Sequence, residues 1–238
     1  MMQSPFANLP SITKNLLIIN IICFLPFLVF SGAQTEQLYN LMSAHYFDSP
    51  LFKPWQPLTY MFFHGGWMHI IFNMFALYSF GSILENSMGP KRFISFYFIC
   101  GLGGIALQML VQAIEVHGIL GTFTTPDIEA TFNRIPYADA KKLAGIYFSS
   151  MVGASGAIYG LLLAFAMMYP NAELMIMFIP VPVKAKYIMP AYILLELFLG
   201  IQQFGGDNIA HFAHLGGVVL GFILVKAWRL QSPGNYRY

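Results

Sequence analysis

Residues 93–114 read FISFYFICGLGGIALQMLVQAI, a stretch without one charged side chain and long enough, as a helix, to cross the roughly 30 Å hydrocarbon core of a bilayer. Moving outward from it, charge to charge, gives further uncharged windows at 15–35, 54–84, 143–172 and 208–225. A sixth, 187–203, is interrupted only by Glu196. The window 174–183 is too short to span and holds Pro180 and Pro182, so it reads as an interfacial segment. The pattern predicts an all-α membrane protein of six transmembrane helices. The bundle occupies 16–228, between a short N-terminal segment, 1–15, and a C-terminal tail, 229–238. An alternative for the first window is a signal peptide, because Ser31-Gly32-Ala33 resembles a cleavage site.

Composition points the same way. Of 238 residues, 57% are hydrophobic and 9% charged, against roughly 25% charged in a soluble domain, which excludes a water-soluble globule. A net charge of +2 gives no basic footprint for nucleic acid, and an aromatic content of 16% excludes disorder. Cys23 and Cys100 lie in apolar runs without ligand spacing, so neither a disulfide framework nor a zinc site is indicated. With the N-terminus inside, Lys14, Lys91, Arg92, Lys184, Lys186, Lys226, Arg229 and Arg237 fall on the cytoplasmic side. Lys53, Arg134, Lys141 and Lys142 fall outside. That asymmetry follows the positive-inside rule and places both termini in the cytoplasm.

Polar side chains within spans are costly in lipid and so mark functional positions. They are His64, His69 and Asn73 in the second span, Ser155 and Tyr159 in the fourth, Glu196 in the fifth, and His211 and His214 in the sixth. Counted from Ser149 and Asn208 at 1.5 Å per residue, Ser155 and His214 both lie roughly 9 Å below the outer helix ends, where they can meet. A serine hydroxyl needs a base to become a nucleophile, and neutral imidazole supplies one near pH 7. The plainer reading is a serine bonded to its own helix and a histidine bridging helices. The small flanks Gly153-Ala154-Ser155-Gly156 and His214-Leu215-Gly216-Gly217 favour the first, leaving room for a substrate backbone and for close helix packing.

His69 and Asn73, spaced i, i+4, share one helix face and can both donate hydrogen bonds to an oxyanion, or simply fasten the helix to a loop. His64, roughly 140° around from His69, supports the outer loop or lines a water path. Tyr159, one turn below Ser155, packs beneath the imidazole or is a core tyrosine. No acidic residue falls at the depth of His214 with obvious access to it, so the expected arrangement is a Ser–His dyad.

These runs, with Tyr159 and Gly221 and the His69-x-x-x-Asn73 pair, resemble the rhomboid family of intramembrane serine proteases along nearly the whole chain. The resemblance implies Ser155 as nucleophile, His214 as general base and later acid, and His69, Asn73 and the Ser155 N–H as oxyanion hole. It implies transmembrane protein substrates within the lipid bilayer and no metal or cofactor. His211 competes with His214; the Gly-Gly that follows His214 matches the family histidine. Trp55 matches the family's first outer loop, and Gln56 stands where many members have arginine. Glu85 corresponds to a bracing glutamate, with a solvated helix-end carboxylate as the alternative. Glu196 either faces a gate between the second and fifth helices or reaches the outer interface. Without a transit peptide or large soluble domain in the sequence, a bacterial plasma membrane is expected. Two other readings are a non-catalytic rhomboid-like protein that binds membrane clients and a transporter; retention of Ser155 and His214, and the lack of an inverted repeat, weigh against them.

Overall fold

The computed structural model describes residues 9–175, 181–202 and 210–231. Its main helices are α1 (Ser11–Val29), α2 (Ala33–Met42), α3 (Trp67–Met88), α4 (Pro90–Leu120), α5 (Tyr137–Phe148) and α6 (Ser155–Met168). A two-stranded hairpin, β1 (Glu173–Met175) and β2 (Pro182–Lys184), leads to α7 (Ala185–Gln202) and α8 (His211–Ala227). Among the described residues, α1, α3 and α4 are long and apolar enough to cross a membrane, while α6 and α8 are shorter apolar helices. The fold is that of a predominantly helical membrane protein.

The longest helix, α4, shows how local sequence sets its ends. Gly89 turns the chain out of α3 with φ 81°, and Pro90 opens α4 with φ already fixed for a helix. At the far end Gly121 adopts the left-handed conformation and donates its N–H to the His117 carbonyl at 2.8 Å. Around α4 the core is built by close backbone approach to α6 and α8. A Cβ added at Gly104 would lie 2.6 Å from the Ala213 carbonyl oxygen, and one at Gly217 would run into the Gly156 carbonyl. Small residues are what let these three helices touch.

Two sequence windows fold differently from their expected form. The window 143–172 is not one span: α5 ends at Phe148, and α6 begins only at Ser155. Between them the backbone pairs sideways. Ala44 and Met151 exchange N–H···O bonds at 2.9 Å, and the Gly153 N–H donates to the Tyr60 carbonyl at 2.9 Å. Gly153, at φ 131°, is outside any helix geometry. The depth count from Ser149 therefore starts from a residue outside α6, and Asn208 lies outside the described residues. The segment 174–183 also departs from a purely helical chain, because Glu173 pairs with Lys184, Leu174 with Val183 and Met175 with Pro182. Pro180 lies outside the described residues.

The Phe96 and Trp228 rings meet at 6.2 Å, so Lys91 and Arg92 at the start of α4 share an end of the bundle with Lys226 in the last turn of α8 and Arg229 just beyond it. At the opposite end a second apolar cluster of Tyr46, Ala113, Val116, Leu143, Ile146 and Tyr147 ties α5 and the α2–α3 connection to the last turns of α4.

Candidate active site

Ser155 is the first residue of α6, so its hydroxyl projects from a helix N-terminus and its N–H has no carbonyl of its own helix to bond. His214 lies in the first turn of α8, and its Nε2 is 2.8 Å from Ser155 Oγ. Of the two candidate imidazoles, His214 is therefore the one that meets the serine. The Tyr159 ring stacks on His214 with centroids 4.3 Å apart and planes 8° from parallel. One face of the imidazole is thereby covered.

On the other side of Ser155 stands His69. Its Nδ1 accepts the Gly65 N–H at 3.3 Å, which leaves the ring proton on Nε2. A Cβ at Gly153 would sit 2.7 Å from that Nε2 and 3.4 Å from Ser155 Oγ. Gly153 thus keeps open the space between a ring N–H donor and the serine. Asn73 donates from Nδ2 to the His69 carbonyl at 2.9 Å, which holds its amide on the same helix face with a second N–H to spare. The sequence-predicted Ser155, His214, His69, Asn73 and Tyr159 all line one cavity of about 1520 Å³.

That cavity continues past Gln108, Gln112 and Glu115 of α4 and past Lys142, Ser149 and Ser150, a polar wall leading away from the Lys91 end. His64 is not part of it. Its fully buried ring packs edge-on against His69, 5.0 Å between centroids, and borders a separate cavity of about 330 Å³. Its position before the first residue of α3 turns it behind His69 and away from the water path.

Sequence reasoning missed the acidic partner of His214. Glu196 is buried, with Oε2 2.6 Å from His211 Nδ1 and 3.0 Å from His214 Nδ1, and with Oε1 accepting the Tyr159 hydroxyl at 2.6 Å. A carboxylate does lie at the depth of His214, contrary to expectation. The available signal was that Glu196 is the one acid in an otherwise uncharged window. These three residues also form the one group of potential metal ligands found among the described residues, all ligand atoms lying within 4.8 Å of one another. The 2.6 Å contact is a hydrogen-bond separation, shorter than the roughly 3.3 Å between two ligands on a tetrahedral zinc with bonds near 2.0 Å.

A rhomboid domain profile matches residues 52–230, most of the chain and all of the residues just described. The chain belongs to the rhomboid family. It is 29% identical over 182 residues to the mitochondrial RHOMBOID-like protein 12 of Arabidopsis thaliana, covering 76% of this chain and 47% of the relative. It is 25% identical over 210 residues to the mitochondrial Rhomboid protein 1 of Saccharomyces cerevisiae, covering 84% and 51%. With Rhomboid protease GluP of Bacillus subtilis it shares 28% over 182 residues, covering 76% and 27%. This rhomboid thus spans about half the length of the two mitochondrial relatives. Their names overturn the expected bacterial plasma membrane, an expectation that rested on the lack of a transit peptide.

Other expected positions in this rhomboid take definite places. Gln56 is fully buried, donates from Nε2 to the Asn40 and Leu51 carbonyls at 2.8 and 2.9 Å, and accepts the Lys53 N–H at 3.1 Å. The loop before α3 is held there by a neutral amide instead of an arginine. Trp55 donates its indole N–H to the Leu41 carbonyl at 2.9 Å. Glu85 is buried under α1, accepting Ile12 N–H at 2.9 Å, Thr13 N–H at 2.7 Å and the Thr13 hydroxyl at 2.8 Å. No residue of α1 itself caps that terminus, so the carboxylate supplies both the acceptors and the negative charge favoured there.

Outside the spans, His45 donates from Nδ1 to the Ser149 carbonyl at 3.1 Å, and burial pushes its pKa below the ordinary value of 6.5, the hydrogen bond opposing weakly. Burial and the nearby Asp48 carboxylate push the Tyr46 phenol up to about 12.

Proposed function

We propose that this rhomboid is an intramembrane serine endopeptidase that cuts transmembrane protein substrates in or near their spanning segment. The 2.8 Å contact of Ser155 Oγ with His214 Nε2, inside a cavity with a polar wall, carries the reading. His214 takes the serine proton as Oγ attacks the scissile carbonyl. The oxyanion that forms lies between the His69 Nε2–H, the Asn73 amide and the Ser155 N–H. His214 then protonates the leaving amine, and water entering along Gln112, Ser149 and Ser150 hydrolyses the acyl-enzyme. The name of the Bacillus relative, a rhomboid protease, supports the same chemistry.

In this reading the chain spans the bilayer six times within 16–228, with both termini and the Lys91–Lys226 end on the interior side. The mitochondrial names of two relatives support a mitochondrial membrane. The test is cleavage of a labelled transmembrane peptide by protein purified into liposomes. Wild type is expected to turn over and Ser155→Ala to show no turnover; equal cleavage by both would sink the serine-protease reading, and cleavage by neither would leave a membrane client-binding protein.

A further inference from the structure

We infer that Glu196 is a positioning residue for the base, a buried carboxylate that holds His214 in the tautomer able to accept the serine proton; this rests on the proteolytic reading above. For Nε2 to receive the Ser155 proton, the resting ring must carry its own proton on Nδ1. Among the described residues no acceptor makes a well-aligned hydrogen bond to that buried Nδ1. The atom in reach is Glu196 Oε2, at 3.0 Å and off the N–H line. Such resting contacts tighten when the ring becomes imidazolium. Tyr159 covers one face of His214, and its hydroxyl holds the same carboxylate, so ring and carboxylate are kept side by side.

The carboxylate is itself fixed from two sides. The Tyr159 hydroxyl donates to Oε1 and His211 Nδ1–H to Oε2, each at 2.6 Å. The titratable groups facing it are Tyr159 of α6, Tyr192 of its own helix, and His211 and His214 of α8, with His69 of α3 beyond His214. Because Glu196 rides on α7, the base is oriented only while α7 is seated against α8. That seat is close at Gly200, one turn on, where an added Cβ would come within 3.2 Å of His211 and Phe212.

The test measures kcat and KM for the liposome-bound full chain with a labelled transmembrane peptide from pH 5 to 9, for wild type, Glu196→Gln, Glu196→Asp and Ser155→Ala. Glu196→Gln is expected to keep KM within threefold and to lower kcat by about 10²-fold or more, as when a triad carboxylate is neutralised. Its acid limb moves down by about one pH unit, because the amide no longer stabilises the imidazolium. Glu196→Asp recovers at least tenfold. A Glu196→Gln enzyme with wild-type kcat and an unmoved acid limb, altered only in melting temperature, would overturn the inference. Nitrogen NMR of ¹⁵N-histidine wild type gives a reading independent of any variant's folding and of turnover. A resting His214 protonated on Nδ1 supports the assignment, and one protonated on Nε2 overturns it. Equal cleavage by wild type and Ser155→Ala would instead defeat the proteolytic reading, with the tautomer still deciding the role of Glu196.

Discussion

Asn73 separates transition-state binding from ground-state binding more cleanly than any other residue near Ser155. In the proposed mechanism one amide N–H is left for the oxyanion, while the other is anchored to its own helix at the His69 carbonyl. Asn73→Ala is predicted to lower kcat on the order of 10²-fold with KM little changed, the loss typical of one oxyanion donor; steady-state kinetics on a labelled transmembrane peptide measures both. Ser155, His214, His69 and Asn73 were legible in the sequence because each is a polar group with no business in lipid unless it faces another. Glu196 was marked by the same logic but could not be oriented. Its partner depends on how far α7 is rotated and where it starts, and the charge pattern, with Lys184, Lys186 and two prolines before it, fixes neither.

At the scale of elements, the termini of helices carry the energetics. Glu85 joins α3 to the first turn of α1 through three hydrogen bonds to a buried charge, so Glu85→Ala leaves two backbone donors and a hydroxyl unpaired. A loss of about 3 kcal/mol of unfolding free energy is predicted, measured by denaturation in mixed micelles, with Ser155 reactivity retained where the chain remains folded. The His45–Ser149 contact should respond to pH. His45 has a folded-state pKa below its ordinary 6.5, so its contribution to stability is fully present above that value and is lost as pH falls through it toward the lowered one. Hydrogen-exchange protection of the Ala44 and Met151 amides is predicted to fall as pH drops below about 6.5 in wild type, and to lose that dependence in His45→Gln. The break of 143–172 into α5, a paired stretch and α6 escaped the sequence because no charge marks it. Only the partners, Ala44 and Tyr60 about a hundred residues earlier, make an extended backbone tolerable there.

Across the whole molecule, α4 serves as the post against which α6 and α8 are pressed, and their first residues converge on one level partway along it. The glycines that permit this were readable as small-residue surfaces, whereas the cluster of α5 with Tyr46 was not, because Leu143, Ile146 and Tyr147 fall in an uncharged window that reads as part of a span. The resulting shape puts Ser155 and His214 in a cavity lined by polar groups as well as apolar helices, which under the proposed function admits both a lipid-borne peptide and water. The most direct measurement of this account is mass spectrometry of the intact protein after exposure to a fluorophosphonate in liposomes. It predicts a single adduct on Ser155 in wild type and none in His214→Ala. An adduct on another residue, or equal labelling of His214→Ala, would contradict it.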